Sequence, residues 1–375
     1  MTLHLDSDSG RPGAKLGYQP GLDGVRALAI GCVVLSHTIG FPATGFLGVD
    51  IFFVLSGFLI TTLLLEEHAR HGRVSLRGFY RRRALRLLPA LFVVLGVFLA
   101  VSVLAVLIRG GSLDRAIFGV VAGIGYFSNI AIASGSETAA MPNELRHLWS
   151  LAIEEQFYIV WPVVLMFLFR ARLRLALVAL GVVVILVAAQ QVQLYLEGAT
   201  WERIAYGSDT RSTSILVGCA LALALATAAR PTIEAIAKRI APLAVVCFFA
   251  LLLVVPGPSF FSAWILAVAL CSAWLILLAL DGRSLLARTL AVPPLVFLGR
   301  ISYSLYLWHI PIYVTFGLST HPELLDVPAL SLSLLCATAS YYFVEMPFLR
   351  KKRASASPSE QLGKTSSPIL KPASP

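Results

Sequence analysis

The sequence predicts an all-α polytopic membrane protein, and three observations support this fold class. The 375-residue chain is 58% hydrophobic and only 13% charged, and its mean hydropathy is +0.82. Apolar runs of about 17–25 residues, the length that crosses a bilayer as a helix, recur along most of the chain. Basic residues collect between and just outside these runs. Because lipid offers no hydrogen bonds to the backbone, the spans are predicted to be helices.

About ten spans are predicted, and the basic residues between them set their orientation. The stretch from His68 to Arg86 holds seven arginines and no acidic residue, so we expect it on the cytoplasmic side. The first span therefore starts inside, and the later basic clusters also fall inside. The predicted spans cover residues 22–39, 46–65, 87–108, 149–169, 175–189, 213–229, 240–255, 261–280, 301–318 and 329–344.

The apolar segment 116–133 is predicted to be re-entrant or interfacial. It contains three glycines as well as Ser128 and Asn129. If it crossed the membrane, the next span would place three arginines outside, at positions 170, 172 and 174. That placement contradicts the positive-inside rule.

The remaining regions complete a three-part organisation. Residues 1–20 are expected to be a flexible cytoplasmic lead-in, 21–350 the membrane domain, and 351–375 a disordered cytoplasmic tail. We therefore predict a multi-pass protein of the cell (inner) membrane with both termini in the cytoplasm. The formal net charge of +10 is explained by orientation in the bilayer, so no nucleic-acid partner is expected. The five cysteines lie singly in apolar runs, and no metal site is expected.

Arg26 and His37 in the first span are the leading candidates for chemistry, because charged groups are costly inside a bilayer. They lie eleven positions apart, close to three helical turns, so both side chains share one face about 16 Å apart. Alternatively, Arg26 is an interfacial anchor and His37 caps the outer end of the helix.

Three carboxylates could assist this histidine. A short turn is expected to bring Asp50 close to His37, where a carboxylate can fix the tautomer of an imidazole. The alternative is a structural ion pair between Asp50 and an external arginine. Glu154 and Glu155 lie inside a later span and point in different directions, so one can face the site and the other a neighbouring helix. His147 lies at the outer mouth of that span and could equally be a headgroup anchor.

Arginines before the third span are candidates for binding phosphate. The spacing of Arg82, Arg83 and Arg86 places two guanidinium groups on one helical face, where they can hold phosphate groups. Ordinary cytoplasmic retention is the alternative. Tyr303 and His309, in ISYSLYLWHIP, are further candidates to line the cavity. Glu345, in FVEMPF, is a third.

Six stretches together resemble the acyltransferase-3 family of integral-membrane O-acyltransferases. They occur in the order of that family and extend from about Gly21 to Phe348. The stretches are GLDGVRALAI…SH, GVDIFFVLSGFLIT, FYRRRALRLLPAL, HLWSLAIEEQFYIVWP, GRISYSLYLWHIP and YYFVEMPF.

The resemblance implies an enzyme that moves an acyl group, commonly acetyl from acetyl-CoA, to a hydroxyl of a carbohydrate or another glycosylated or lipid-linked acceptor. It assigns family motifs to Arg26 with His37, and to Arg83 with Arg86. A further family motif falls on Trp149, Ser150 and Glu154. Some members carry an extra periplasmic domain after the membrane part, whereas this chain is expected to act as a stand-alone membrane enzyme.

The resulting hypothesis makes His37 the general base, with Asp50 or Glu154 orienting the imidazole. Arg83 and Arg86, with Arg26 and Arg82, would hold the phosphates of acyl-CoA. The alternative is a transporter or flippase for a lipid-linked glycan, because intramembrane His, Glu and Arg also mark proton-coupled transport. The absence of repeated halves in the sequence favours the enzyme.

Overall fold

The computed structural model describes residues 16–38, 41–42, 44–135, 141–170, 173–253, 261–282, 284–316 and 322–354. The secondary structure of these residues is helical. The helices are α1 (Pro20–Thr38), α2 (Leu47–His71), α3 (Leu76–Arg109), α4 (Asp114–Ile124), α5 (Ser128–Ala133), α6 (Leu148–Leu168), α7 (Leu173–Leu196), α8 (Trp201–Tyr206), α9 (Ser208–Leu225), α10 (Arg230–Arg239), α11 (Ala241–Leu253), α12 (Phe261–Leu280), α13 (Leu285–Leu290), α14 (Pro293–Thr315), α15 (Pro322–Ala339) and α16 (Met346–Ala354).

Fewer than ten helices within the described part of the chain are long and apolar enough to cross a membrane. Six stretches within the described residues are long and apolar enough, and a bent pair formed by Trp201–Leu225 and Arg230–Arg239 could add a seventh. Helix α11 has 13 residues up to Leu253, where this described stretch of the chain stops. The helical, polytopic class is confirmed, while the count of ten stays a prediction.

Helix α3 begins earlier than the apolar pattern predicts. The predicted span started at residue 87, but the helix has 34 residues and begins at Leu76, so that Pro89 lies in its interior. Its N-cap is Ser75, whose Oγ accepts a hydrogen bond from the amide of Gly78 at 3.2 Å. Arginine is a good helix former, so the helix continues through the basic stretch where the apolar pattern stops.

The segment predicted to be re-entrant or interfacial forms two short helices. Helix α4 has 11 residues and α5 has six, so they are about 16 Å and 9 Å long. Each is too short to cross a hydrocarbon core of about 30 Å. Tyr126 has a positive φ of 53° at the turn that separates them.

The stretch 190–211, between the predicted spans 175–189 and 213–229, is mostly helical, which corrects the sequence-based boundaries. Helix α7 reaches Leu196, and α8 and α9 follow with short breaks. Thr200 caps α8 by accepting a hydrogen bond from the amide of Arg203 at 3.2 Å. Gln190 donates to Asp209 at 2.6 Å and ties the end of α7 to the start of α9. Such polar contacts leave no apolar pattern in the sequence.

The predicted last span, 329–344, lies within a longer helical stretch. Helix α15 passes at residue 340 into a π-helical turn, Ser340–Glu345, and α16 follows directly. The hydroxyl of Ser304 in α14 is hydrogen-bonded to Ser340 at 3.0 Å and to the carboxyl group of Glu345. Helix α16 covers residues 351–354 of the predicted tail, and residues 355–375 lie outside the described part.

Helices α2 and α9 cross at very short range because glycine occupies both sides of the contact. A Cβ atom on Gly57 would lie 2.0 Å from the carbonyl oxygen of Ile215, and one on Gly218 would lie 2.0 Å from that of Val54. Small residues at helix crossings allow such close backbone approach in membrane proteins. The crossing therefore depends on these two glycines.

Replacing Gly218 with alanine is expected to destabilise the protein by about 2 kcal/mol or more, because the new methyl group meets backbone atoms that cannot move aside. Thermal unfolding of the detergent-solubilised protein measures the effect. The control is Gly96→Ala in α3, where a Cβ meets no atom within 4 Å. Equal unfolding temperatures for the two variants would contradict the prediction.

Candidate functional site

Helices α1 and α14 pack against each other and run in the same direction, so candidate residues of the two helices lie side by side. The backbone of Asp23 lies against Gly299, where an added Cβ would come 1.9 Å from the Asp23 carbonyl oxygen. Further along both helices, the rings of His37 and His309 have centroids 5.4 Å apart. The first polar cluster of the site forms where these two histidines meet.

The histidine cluster consists of His37, His147 and His309 with Tyr306 and Ser150. The His147 ring centroid lies 5.5 Å from that of His309 and 5.4 Å from that of Tyr306. The Tyr306 hydroxyl donates to the carbonyl oxygen of His147 at 2.7 Å, so the Ser150 hydroxyl, 2.6 Å from Tyr306, is the donor to it. Three imidazoles from α1, α14 and the start of α6 are thus held together.

The tautomer of His37 follows from its backbone contact. Its Nδ1 atom lies 2.8 Å from the carbonyl oxygen of Val33, and a carbonyl can only accept. We therefore assign the proton to Nδ1, which leaves Nε2 of the neutral ring as a proton acceptor. The His37 side chain is exposed, so a reactant can reach it.

Two other imidazoles of the cluster are buried with free hydrogen-bonding capacity. His309 is 2% exposed, its Nδ1 lies 2.7 Å from the carbonyl oxygen of Tyr306, and its Nε2 has no hydrogen-bond partner among the described residues. Neither ring nitrogen of the buried His147 makes a well-formed hydrogen bond to a described residue, although the backbone of Glu144 and of Leu307 lies near the ring. Buried polar atoms without partners are uncommon in native proteins, so these nitrogens have capacity left to bind a polar reactant or water.

Asp50 does not orient His37 in this structure. Its two carboxylate oxygens accept hydrogen bonds from Arg211 Nη2 at 2.9 Å and from the Ser214 hydroxyl at 2.7 Å. The pair is buried, with 2% of the Arg211 side chain and none of the Asp50 side chain exposed. The arrangement therefore matches the alternative of a structural ion pair. The group that orients the His37 ring is instead the backbone carbonyl of Val33.

The second polar cluster, the arginine cluster, contains Arg26, Arg83, Arg86, Glu155 and Glu345. Arg83 forms an ion pair with Glu155 at 2.6 Å, with 21% and 15% of the two side chains exposed. Arg86 interacts electrostatically with the four other members. The side chain of Arg86 is exposed, so the cluster offers an accessible guanidinium group to an anionic ligand.

The two adjacent glutamates of α6 do point to different partners. Whereas Glu155 binds Arg83, Glu154 accepts hydrogen bonds from the hydroxyls of Ser56 and Tyr158. The guanidinium carbon of Arg83 lies 3.3 Å from the centroid of the Tyr158 ring. Glu154 is thereby connected to the arginine cluster, and neither of these hydrogen bonds is to His37.

The other sequence candidates fall into supporting positions. Arg26 pairs with Asp23 at 2.7 Å. Arg82 pairs with Glu67 at 3.0 Å with 46% of its side chain exposed, so it binds a carboxylate of α2. Tyr303 donates to the carbonyl oxygen of Leu87 in α3 at 2.8 Å. Trp149 packs against Tyr206, with ring centroids 5.1 Å apart.

Two residues of the histidine cluster, His147 and Tyr306, stand out less in the sequence than in the structure. A histidine at the outer mouth of a span is equally typical of a headgroup anchor, but only 6% of His147 is exposed. Tyr306 lies three residues before His309 and so shares its helical face, a spacing that was visible in the sequence. Among the described residues, no group of three or more His, Cys, Asp or Glu is arranged to hold a metal ion.

Comparison with known proteins gives a consistent match along the chain. Residues 19–344 match the family model described as an acyltransferase domain. The O-acetyltransferase OatA of Staphylococcus aureus (strain NCTC 8325 / PS 47) is 33% identical over 355 residues, which cover 89% of this chain and 58% of that protein. The protein of Bacillus subtilis (strain 168) named "Putative peptidoglycan O-acetyltransferase YrhL" is 35% identical over 355 residues, covering 88% of this chain and 55% of that protein.

The matched region is only part of each relative. This chain spans between 55% and 58% of the length of these two proteins. No solved structure gives a significant match.

Replacing Arg83 with alanine is expected to cost about 3 kcal/mol of stability, because it leaves Glu155 as a partly buried charge without its cation. The control is Arg82→Ala, which removes a half-exposed pair and is expected to cost less than about 1 kcal/mol. Unfolding of both variants in detergent measures the difference. The double variant with Glu155→Gln should recover most of the loss; a double variant as unstable as Arg83→Ala alone would contradict this account.

Proposed function

We propose that this chain, which belongs to the acyltransferase family, is a membrane O-acyltransferase that moves an acyl group, acetyl above all, from acyl-CoA to a hydroxyl of a carbohydrate acceptor. The observation that carries the proposal is the arrangement at His37. Its Nδ1 is bound to the Val33 carbonyl at 2.8 Å, and its exposed ring presents Nε2 as a base. Acyl transfer to a hydroxyl needs such a base.

In the proposed step, His37 accepts one proton and then passes it on. Its Nε2 takes the proton of the acceptor hydroxyl while the hydroxyl oxygen forms a bond to the acyl carbon. The carbon–sulfur bond of the thioester then breaks, and the proton on Nε2 passes to the departing thiolate. The Val33 carbonyl keeps the ring oriented throughout and favours the imidazolium that forms transiently.

The arginine cluster supports the donor side of the proposal. CoA carries phosphate groups, and guanidinium groups bind phosphate in a bidentate fashion. Arg86 is the accessible member, while Arg26 and Arg83 already neutralise Asp23 and Glu155. We therefore assign the first phosphate contact to Arg86. In the proposed topology this end of α1 faces the cytoplasm of the cell, where CoA is found, and both chain termini lie on the same side.

The acceptor side is proposed to open at the histidine cluster. The name of YrhL refers to peptidoglycan, and we extend this to the chain as the proposal that its acceptor is a surface glycan. The opposite positions of the two clusters along α1 support a route in which donor and acceptor meet at His37 from different faces of the bilayer.

His37→Ala is expected to lower acceptor-dependent CoA release by at least about 100-fold, since general-base catalysis commonly contributes that much. The assay uses purified protein in nanodiscs with acetyl-CoA and a panel of glycans. The control is His71→Ala, at the exposed end of α2, which should behave like the wild type. Substantial release by His37→Ala would refute the base assignment, and a wild type that neither binds nor consumes acetyl-CoA would favour a transporter.

Arg86→Ala is expected to weaken acetyl-CoA binding by about tenfold, the loss of one charge-assisted phosphate contact. Arg82→Ala, with its guanidinium committed to Glu67, should change binding by less than about twofold. Titration calorimetry with acetyl-CoA measures both. If both variants bind like the wild type, the donor is held elsewhere.

A further inference from the structure

We propose that Arg211 and the aromatic rings around it form a binding site for a neutral sugar residue of the acceptor. The site is separate from the two clusters described above, and the inference rests on the proposed acyl transfer to a glycan. Five observations support it: the free nitrogens of Arg211, the rings that flank it, further unpaired polar groups, its charge balance and its position.

Arg211 is buried with most of its hydrogen-bonding capacity unused. Only 1% of the residue is exposed, and its Nη2 donates to Asp50 at 2.9 Å. Its Nε and Nη1 atoms have no hydrogen-bond partner among the described residues. Leaving donors of a buried cation unpaired is costly, so these nitrogens are expected to bind a ligand oxygen.

Aromatic rings lead from the surface to this guanidinium group. The guanidinium carbon lies 5.4 Å from the ring centroid of Trp149 and 5.7 Å from that of Phe261. Trp201 packs against Phe261 with ring centroids 4.7 Å apart, and 43% of it is exposed. A tryptophan with an apolar face and one exposed side suits the packing of a sugar ring.

Two more side chains, Trp264 of α12 and Gln191 of α7, have buried polar atoms without a hydrogen-bond partner among the described residues. Trp264, whose ring lies 6.3 Å from that of Phe261, is 6% exposed and its Nε1 has no partner among the described residues. The same holds for both amide atoms of Gln191, which is 1% exposed. Its neighbour Gln190 binds Asp209, which places Gln191 beside the first turn of α9.

The charge balance selects a neutral ligand over an anionic one. Asp50 already neutralises Arg211, and Ser214 satisfies the other carboxylate oxygen. The remaining groups are N–H donors of Arg211 and Trp264 and an amide that both donates and accepts. Hydroxyl and carbonyl oxygens of an uncharged sugar match these groups, whereas a carboxylate or phosphate would also face Asp50.

The position of the site connects it to the histidine cluster. Trp149 is followed by Ser150, which donates to Tyr306 of that cluster. On the other side, the ring of Phe46, just before α2, lies 5.6 Å from Trp264. Gly45 packs against Ser36, the neighbour of His37. The Arg211 site is thus linked to the histidine cluster by two short series of neighbouring residues.

The test compares variants of the full-length protein in nanodiscs by titration calorimetry. Three probes are used in parallel. Chitotetraose is a neutral oligosaccharide, tetragalacturonate is an anionic oligosaccharide of the same length, and acetyl-CoA is the proposed donor. Asp50→Asn combined with Arg211→Gln removes both charges together, which avoids an uncompensated buried charge. We expect this double variant to weaken chitotetraose binding by at least about tenfold and to leave acetyl-CoA binding unchanged.

Single variants separate the aromatic contribution from effects on folding. Trp201→Ala, at the exposed end of the aromatic run, should weaken chitotetraose binding by about fivefold. Tyr195→Ala, an exposed tyrosine of α7 (38% exposed), is the matched control and should bind like the wild type. Tetragalacturonate should bind more weakly than chitotetraose to the wild-type protein.

The outcomes distinguish this inference from the proposed function. If the wild type binds acetyl-CoA but not chitotetraose, or prefers tetragalacturonate, the neutral sugar site is refuted while acyl transfer stands. Unchanged chitotetraose binding by the double variant would mean that the Arg211 nitrogens bind only water, which also refutes the site. A wild type that binds no acetyl-CoA would instead overturn the proposed function.

Discussion

A charge inside an apolar helix bundle must find an opposite charge, and this constraint connects the helices of the protein. Asp50 of α2 binds Arg211 of α9, and Arg83 of α3 binds Glu155 of α6. Each pair joins helices that are far apart in sequence. Removing one partner of a buried pair costs more than the pair itself contributes, so these contacts select one arrangement of helices. The glycines at the α2–α9 crossing let the Asp50 pair form at short range.

In the proposed reaction, the donor and the acceptor meet two different sets of polar groups, which lie at different positions along α1. The arginine cluster combines cations with carboxylates near Arg26, while the histidine cluster near His37 contains imidazoles and hydroxyls. Hydroxyl hydrogen bonds of Ser56 and Tyr158 to Glu154 extend the polar interior from the arginine cluster into the bundle. Polar groups can lie inside this apolar bundle because they come from several helices and bind one another.

Much of the fold was predictable from the sequence, because apolar runs report membrane helices directly. The predicted span 261–280 has the same limits as α12, and the prediction that the segment 116–133 does not cross agrees with two short helices. The start of α3 was wrong because its first turns are basic, and basic residues form helices without an apolar pattern. In the site, the shared face of Arg26 and His37 followed from helical spacing alone. The partner of Asp50 did not, since Arg211 lies 161 positions away in the chain and no local pattern connects them.

The length of α1 has a consequence for the choice of donor in the proposed reaction. Because α1 is a continuous helix, the distance between Arg26 and His37 is fixed at about 16 Å. In the proposed reaction, this distance would set the length of the carrier that holds the acyl group. A thioester on a long flexible arm would reach the imidazole while its charged end stays among the arginines, which raises its effective concentration at the base. A small thioester would gain no such advantage, so the length of α1 would favour a tethered acyl group over a free one.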